Sequence, residues 1–105
     1  MKIYLKENKV WKLFNDPTPN DFSIRNIKIG DGAFIGDGAF IGDNAKIGDG
    51  ASIGDNAIIG YYAFIGDDAS IGEGTFIGSC TTIGSRIKIG DGAKISEGSM
   101  IDNIL

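Results

Sequence analysis

The sequence contains no histidine, a single cysteine and two prolines among its 105 residues. Without histidine, the chain lacks the side chain that most often acts as a general base near neutral pH and as a metal ligand. Cys80 has no partner for an intrachain disulfide, so a reducing compartment, by default the cytoplasm, is expected. Positive charge is also scarce, because 10 Lys and Arg stand against 14 Asp and Glu. Nucleic acid and anionic membrane surfaces are therefore not expected as partners.

Long apolar runs are absent as well. No segment is apolar for long enough to span a bilayer. Residues 1–14 contain neither an uninterrupted apolar core nor a small-residue cleavage site, so a secretory signal is not expected.

What the sequence has instead is a strict period of six residues. Glycine follows most of the isoleucines that mark it, and the period predicts a solenoid because a helix would need a repeat of 3.5 or 3.6. The thirteen isoleucines are Ile29, Ile35, Ile41, Ile47, Ile53, Ile59, Ile65, Ile71, Ile77, Ile83, Ile89, Ile95 and Ile101.

Each repeat reads Ile-Gly-Asp-Gly/Asn-Ala-x. The residues Ala-x-Ile alternate inward, outward and inward, as in a short strand, and the residues between them form a corner. The fourth position is Gly, Asn or Asp in nine of twelve repeats, which are the residue types that tolerate positive φ. The Asp at the third position is expected to bond its own backbone across the corner.

The tandem Ile-Gly-x-x-Ala-x pattern of residues 27–101 resembles the hexapeptide-repeat family, the left-handed parallel β-helix proteins. The resemblance implies an all-β triangular solenoid of about four coils, with three repeats per coil. It also implies homotrimers, and either acyl transfer with a His base and an acyl-thioester cofactor between subunits or a zinc site held by His. Since the chain has no His, we expect no catalytic residue, no metal and no cofactor.

Residues 1–26 lack the repeat. Alternation from Ile3 to Phe14 predicts a β-hairpin arm or cap, and residues 15–21 are expected to form a stiff, extended connector. Trp11, Phe14 and Phe22 are expected to cover the first coil or to form an assembly arm. Residues 102–105 form a short tail, too short to cap the C-terminal end, so stacking on another subunit or a longer chain is expected there.

Folding the sequence at eighteen residues per coil brings the departures from the repeat together. Outward positions of the third face are Phe40, Ile58 and Phe76, and the following edge carries Tyr61, Tyr62 and Cys80, with Phe64 on the first face. Apolar rows rimmed by polar corners are typical of interfaces, although ordinary surface aromatics are an alternative. The sequence thus predicts a non-catalytic, self-associating structural element, forming a trimer or stacking end to end. An extracellular or phage appendage is compatible with it.

Other functions remain open from the sequence. A minimal acyltransferase-like protein would place its site between subunits, at the edge of Tyr61, Tyr62, Ser79 and Glu97. Cys80 has no visible activating base in sequence. Ice binding would need ranks of outward Thr, and only Thr82 points outward. A stacked acidic column is a weak Ca²⁺ candidate, against the interpretation that each carboxylate caps its turn; its members are Asp37, Asp55, Glu73 and Asp91.

Overall fold

The computed structural model describes residues 1–102 and shows a left-handed parallel β-helix that is capped at its N-terminal end. The cap consists of a hairpin, β1 (Lys2–Glu7) and β2 (Val10–Asn15), and a short helix, α1 (Pro19–Ser23). The remaining strands are β3 (Lys28–Ile29), β4 (Phe34–Ile35), β5 (Ala39–Ile41), β6 (Lys46–Ile47), β7 (Ser52–Ile53), β8 (Ile58–Ile59), β9 (Phe64–Ile65), β10 (Ser70–Ile71), β11 (Phe76–Ile77), β12 (Thr82–Ile83), β13 (Lys88–Ile89), β14 (Lys94–Ile95) and β15 (Met100–Ile101).

Three sheets form the faces of the prism, and every third strand of the repeat belongs to the same face. The first face has the order β15-β12-β9-β6-β3, the second β13-β10-β7-β4, and the third β14-β11-β8-β5-β1-β2. Parallel registers join isoleucines eighteen residues apart, for example Ile47 to Ile65 and Ile59 to Ile77. The three predicted isoleucine columns are therefore confirmed.

The core is built from these columns and from the small residue at each inward position. Ile53, Ile59 and Ile65 are fully buried, as are most of the alanines between the columns. In two repeats Thr replaces Ala, and each buried hydroxyl donates to a corner carbonyl: Thr75 to Gly90 (3.0 Å) and Thr81 to Ser96 (3.0 Å). Thr is tolerated in this core because each buried hydroxyl has a hydrogen-bond partner.

All twelve corners place their fourth residue in the left-handed region of φ. Nine use Gly, Asn or Asp, in agreement with the sequence prediction. The other three are Tyr62, Cys80 and Arg86, with φ of 58°, 60° and 63°. A left-handed conformation costs an ordinary residue roughly 1–2 kcal/mol, so these three corners carry conformational strain.

The sequence predicts that each corner Asp hydrogen-bonds to the backbone of its own turn. That prediction is wrong at the corners where the Asp carboxylate accepts a hydrogen bond from the neighbouring coil. The Oδ1 of Asp49 accepts from the N–H of Asp31, which lies one coil earlier, at 2.9 Å. The same bond links Asp55 to Asp37 and Asp67 to Asp49. The residue after Ile is Gly because the next coil passes so close: a Cβ at Gly30 would overlap both the backbone and the carboxylate of Asp49. Stacking of the coils, rather than the local turn, determines the partner of the carboxylate.

The hairpin prediction is confirmed, and it ends in a two-residue turn in which Asn8 and Lys9 both have positive φ (52° and 67°), as a type I′ turn requires. β1 continues the third face, because Ile3, Tyr4 and Leu5 pair in parallel with residues 39–41. Ile3 and Leu5 are fully buried. The hairpin thus occupies the position of a further coil on one of the three faces.

The prediction of a stiff, extended connector is wrong, because part of it is helical. Thr18 caps α1: its hydroxyl accepts from the N–H of Asp21, and the Asp21 carboxylate accepts from the N–H of Thr18 at 2.8 Å. Pro19 begins the helix, where its missing N–H costs nothing. This capping box is the local signal that outweighs the two prolines.

Arg25 fixes α1 to the hairpin. Its Nε donates to the carbonyl of Lys6 (2.7 Å), one terminal nitrogen donates to the carbonyl of Asp21 (2.6 Å), and the guanidinium lies over the ring of Phe14 at 4.8 Å. Phe14 and Phe22 pack against the core, as predicted. The longest dimension of the chain is 40 Å. No helix in residues 1–102 is both long and apolar enough to cross a membrane.

Candidate interaction surface

The outward side of the third face carries a continuous row of large side chains. In register from the hairpin towards the C-terminal end, the row consists of Leu13, Tyr4, Phe40, Ile58, Phe76 and Lys94. Neighbouring strands of a sheet lie about 4.8 Å apart, so the five apolar members span roughly 20 Å. The three members predicted from the repeat lie together, as expected. Tyr4 and Leu13 were not predicted as members of this row, because the hairpin does not obey the six-residue period.

Aromatic contacts hold the N-terminal half of this row. The rings of Tyr4 and Phe40 stack with centroids 4.3 Å apart, and the edge of Trp11 meets Phe40 at 5.1 Å. Trp11 therefore lies on the outer surface of the third face and does not cover the end of the first coil, contrary to one expectation. The ammonium of Lys6 lies 4.8 Å from the Trp11 ring and 5.9 Å from the Tyr61 ring. The hairpin and the second coil thus contribute to one surface.

The edge between the third and the first face carries Tyr61, Tyr62 and Cys80, as predicted. Tyr61 and Tyr62 expose 40% and 63% of their surface, and Cys80 is an exposed free thiol. The coils at this edge are tied through the backbone, since the N–H of Cys80 donates to the carbonyl of Tyr61 at 2.8 Å. At the other two edges, carboxylates of corner Asp residues accept hydrogen bonds from the preceding coil and form a ladder. At this edge Tyr61 and Ser79 replace Asp, so no such ladder forms between them.

Exposed aromatics flank this edge on both sides. Phe76, on the third face, is 44% exposed, and Phe64, on the first face, is 45% exposed. We call the surface formed by Ile58, Tyr61, Tyr62, Phe64 and Phe76 the edge patch. An aromatic side chain buries about 150–250 Å² when fully covered, so the four aromatics of the patch expose roughly 300–500 Å² together. A patch of that size on a monomer is often functional.

The acidic column of Asp37, Asp55, Glu73 and Asp91 is used within the solenoid. Oδ1 of Asp55 accepts from the N–H of Asp37, and Oδ1 of Asp91 accepts from the N–H of Glu73, both at 2.9 Å. Asp37 itself accepts from the N–H of Lys2 at 3.1 Å. Within residues 1–102, no group of three or more His, Cys, Asp or Glu side chains has an arrangement that could hold a metal ion. Three of the four carboxylates of the column, those of Asp37, Asp55 and Asp91, thus accept backbone hydrogen bonds.

The carboxylate of Asp43 departs from the ladder. Asp43 Oδ1 is buried without a hydrogen-bond partner among residues 1–102. The N–H one coil earlier belongs to Arg25, and it already donates to the carbonyl of Phe22 at 3.0 Å. The cap therefore takes the donor that Asp43 would use in a regular coil.

A cavity of about 340 Å³ lies at the N-terminal end, between α1 and the first coil, and is lined by Pro17, Pro19, Phe22, Ser23, Ile27 and Ile29. It includes no residue of the edge patch. A groove of about 330 Å³ at the C-terminal end of the third face is lined by Phe76, Lys94, Ile95, Ser96 and Glu97. Glu97, one of the polar groups that a transferase edge would use, thus lines this groove together with Phe76.

The sequence and the fold were compared with known proteins. The family model described as "Bacterial transferase hexapeptide (six repeats)" matches residues 32–67 and 68–103, which is more than half of the chain. No curated protein matches the chain significantly.

Solved acetyltransferase structures share the fold. Serine acetyltransferase isoform 3 from Entamoeba histolytica, in complex with cysteine, is 28% identical with a TM-score of 0.52, over 82% of this chain and 37% of that one. The native serine acetyltransferase 1 from the same organism is 24% identical with a TM-score of 0.51, over 80% of this chain and 41% of that one. The chain spans less than half the length of either structure. By its repeats and its coils, the chain belongs to the bacterial transferase hexapeptide family.

Proposed function

We propose that this chain is a self-associating hexapeptide-repeat solenoid that acts as a non-catalytic structural or assembly element. One observation carries the proposal: the edge patch and the third-face row form a continuous apolar surface that remains exposed in the isolated chain. Phe76, Tyr61 and Phe64 are each 40–45% exposed, and Tyr62 is 63% exposed. Exposed aromatics on a β-sheet surface lose contact with water when a second copy covers them, which favours association.

The size of the patch supports a second copy as the occupant. A stable interface covers about 800 Å² on each partner. Its core is about 65% apolar, so roughly 500 Å² of apolar surface is needed. The four aromatics of the edge patch supply most of that amount, and the adjoining row of the third face supplies more. Homotrimeric assembly, implied by the family resemblance, is one arrangement that this surface fits.

The experiment compares two phenylalanines at the same position of the repeat. Phe76→Ser removes an aromatic from the edge patch, whereas Phe34→Ser removes one that is 64% exposed on the second face beside Ser52. Sedimentation equilibrium over a concentration series is expected to show an oligomer for the wild type and for Phe34→Ser. For Phe76→Ser we expect the oligomer to dissociate at concentrations more than about tenfold higher than those at which the wild-type oligomer dissociates.

Two results would contradict the proposal. The first is a wild-type chain that stays monomeric at about 100 μM, a concentration at which even weak interfaces form. The second is an equal effect of the two substitutions, which would mean that general surface hydrophobicity, rather than this patch, drives association. Circular dichroism of both variants verifies that the solenoid is intact.

Acyl transfer is a second candidate, favoured by the likeness to the serine acetyltransferase structure at 28% identity. The site would lie between subunits, at the edge that includes Ser79 and Glu97. An acetyl-thioester cofactor is incubated with the chain and with serine, and the release of free thiol is followed by absorbance against a Cys80→Ser control. Turnover that depends on both substrates would establish this function and overturn the non-catalytic proposal.

A further inference from the structure

The N-terminal edge of the first face is an unpaired strand edge. Its first strand, β3, pairs on one side with β6, and the N–H of Lys28 donates to the carbonyl of Ala45 at 3.0 Å. Backbone groups of successive strand residues point to opposite sides, so those of Ile29 face away from β6. Among residues 1–102, the N–H of Ile29 and the carbonyls of Ile27 and Ile29 take part in no hydrogen bond. The edge of β3 therefore presents one donor between two acceptors.

The cavity at the N-terminal end adjoins this edge. Ile27 and Ile29 line it on the side of the coil, Phe22 and two prolines line it on the side of the cap, and no residue of β6 takes part. Its volume of about 340 Å³ is in the range of pockets that hold ligands, ~300–1,000 Å³. Ile29 is only partly buried, whereas Ile47 and Ile65, the next members of its column, are 3% and 0% exposed. The isoleucine column thus ends at an apolar space that accommodates one more aliphatic side chain.

The hairpin restricts what can cover the edge of β3 to a single strand. On the third face, β1 occupies the position of a preceding coil and β2 the position before it. A complete coil of a second copy needs all three faces, so the hairpin excludes it at this end. A single extended segment needs the first face alone, and parallel pairing with β3 satisfies all three free backbone groups.

The outward residues beside this edge favour an acidic segment. Lys28 and Lys46 are neighbours on the outer side of the first face. Among residues 1–102, neither ammonium has a carboxylate within 4 Å. Like charges in directly paired positions of a sheet repel each other, whereas opposite charges attract. An acidic side chain in the next position of this column, beside Lys28, therefore offsets the repulsion.

We propose that the edge of β3 binds an extended segment of a partner protein by strand addition, with an acidic residue beside Lys28 and the following, aliphatic residue in the cavity below Ile29. The N–H of the acidic residue donates to the carbonyl of Ile27, and its carbonyl accepts from the N–H of Ile29. The N–H two positions later donates to the carbonyl of Ile29. This site includes no residue of the edge patch, so the inference goes beyond the proposed self-association and does not depend on it.

Binding of a blocked peptide, acetyl-Val-Glu-Ile-Thr-Gly-amide, tests the pairing. In the ¹⁵N-labelled chain, we expect it to shift the amide resonance of Ile29 with a Kd on the order of 100 μM. At about 1 mM peptide, hydrogen exchange of that amide should slow roughly tenfold, while the amide of Ile47, inside the same sheet, is the internal control. A peptide with N-methylthreonine lacks the N–H for the carbonyl of Ile29 and is expected to bind about tenfold more weakly.

A charge exchange tests the register. Lys28→Glu is expected to weaken binding of the peptide about fivefold and to favour, by a similar factor, the peptide in which Lys replaces Glu. Lys88→Glu is the matched control, because it changes the net charge equally at an exposed strand position of the second face. Its affinity for both peptides is expected to equal that of the wild type. Circular dichroism verifies that both variants retain the solenoid.

Three results would overturn the proposal. Absence of any shift of the Ile29 amide at about 1 mM peptide means that the edge does not accept such a segment. Equal binding of the N-methylated peptide means that the cavity takes an aliphatic group without strand addition. A shift of the Ile29 amide with the concentration of the chain alone means that a second copy covers the edge. Dependence on the threonine N–H, together with the reversed charge preference of Lys28→Glu, supports the proposal.

Discussion

The ring of Tyr4 stacks on the ring of Phe40, with centroids 4.3 Å apart and planes inclined by 8°. The two residues are paired because β1 joins β5 in parallel, in the place where a preceding coil would otherwise lie. The contact couples the hairpin to the repeats on their outer surface, while Ile3 and Leu5 couple it to the core. The hairpin is thus part of the same cooperative unit as the first coil.

A double-mutant cycle measures this coupling. Tyr4→Ala and Phe40→Ala are each expected to destabilise the chain, and the coupling energy from chemical denaturation is expected to be about 0.5–1.5 kcal/mol, the usual range for an aromatic pair. Phe34 lies on another face, so a cycle of Tyr4→Ala with Phe34→Ala is the control and should be additive. Additive effects for Tyr4 and Phe40 would show that their stacking does not couple the hairpin to the repeats.

Glycine after isoleucine is required where a neighbouring coil approaches closely. A Cβ at Gly60 would lie 2.5 Å from the backbone nitrogen of Ser79, whereas a Cβ at Gly90 meets nothing within 4 Å in the described chain. Gly60→Ala is therefore expected to lower the free energy of unfolding by about 2–4 kcal/mol. Gly90→Ala is expected to be neutral or to raise it by about 0.4–1 kcal/mol, through the unfolded state. Urea denaturation of both variants provides the measurement; equal costs would argue against the close stacking of coils.

Strain at the corners of Tyr62 and Arg86 predicts that asparagine stabilises both positions. Asn44 and Asn56 already occupy this kind of position at φ of 66° and 61°. Tyr62→Asn and Arg86→Asn are each expected to stabilise the dilute monomer by about 1 kcal/mol, which corresponds to roughly 4–8 °C in Tm for a domain of this size.

Association distinguishes the two variants, because only Tyr62 belongs to the edge patch. Tyr62→Asn is expected to weaken self-association while it raises the Tm, and Arg86→Asn is expected to raise the Tm alone. Calorimetry at low concentration and sedimentation at high concentration separate the two effects. A lower Tm for Arg86→Asn would show that its side chain makes contacts worth more than the strain.

A terminal ion pair predicts a pH dependence of the hairpin end. The ammonium of Met1 donates to Asp16 Oδ1 at 2.6 Å. This hydrogen bond lowers the pKa of Asp16 below 3.8 and raises the pKa of the Met1 amino group above 8.0. The pair therefore stabilises the end of the hairpin at pH values between 3.8 and 8.0. That contribution is lost as the pH falls through the lowered pKa of Asp16, and as it rises through the raised pKa of Met1.

Titration followed by NMR checks this expectation. The Asp16 carboxyl resonance should titrate below its ordinary range, and the Met1 amino group above its own. In Asp16→Asn the pKa of the amino group should return to about 8. An unchanged amino pKa in that variant would mean that the ion pair does not persist in solution, where both groups are exposed.

The sequence predicted those features that follow from the period itself. Ile59 and Ile77 stack because they are eighteen residues apart, and the same spacing placed Phe40, Ile58 and Phe76 in one row. The helix at Pro19 was not predicted, because its capping box competes with two prolines that favour extended structure. The contribution of Tyr4 and Trp11 to the third face was also missed, since no period connects the hairpin to the coils.

Partners of the corner carboxylates were not predictable from a single repeat. The bond from the N–H of Asp31 to Asp49 exists only when one coil lies on the next. In an isolated turn, the carboxylate would accept a hydrogen bond from its own backbone. In the solenoid it accepts one from the neighbouring coil instead. The same reasoning explains Gly30, which is needed for the approach of Asp49 rather than for its own φ.

The eighteen-residue coil makes the edge patch tolerant of only one kind of length change. Duplication of eighteen residues would add one coil to the solenoid and leave every later side chain on the same face. Duplication of six residues between Ile58 and Phe76 would turn all later residues by a third of a revolution and so move Phe76 away from Ile58. The surface thus depends on where along the chain each repeat falls, and changing the order of the repeats would disrupt it while leaving the isoleucine columns in place.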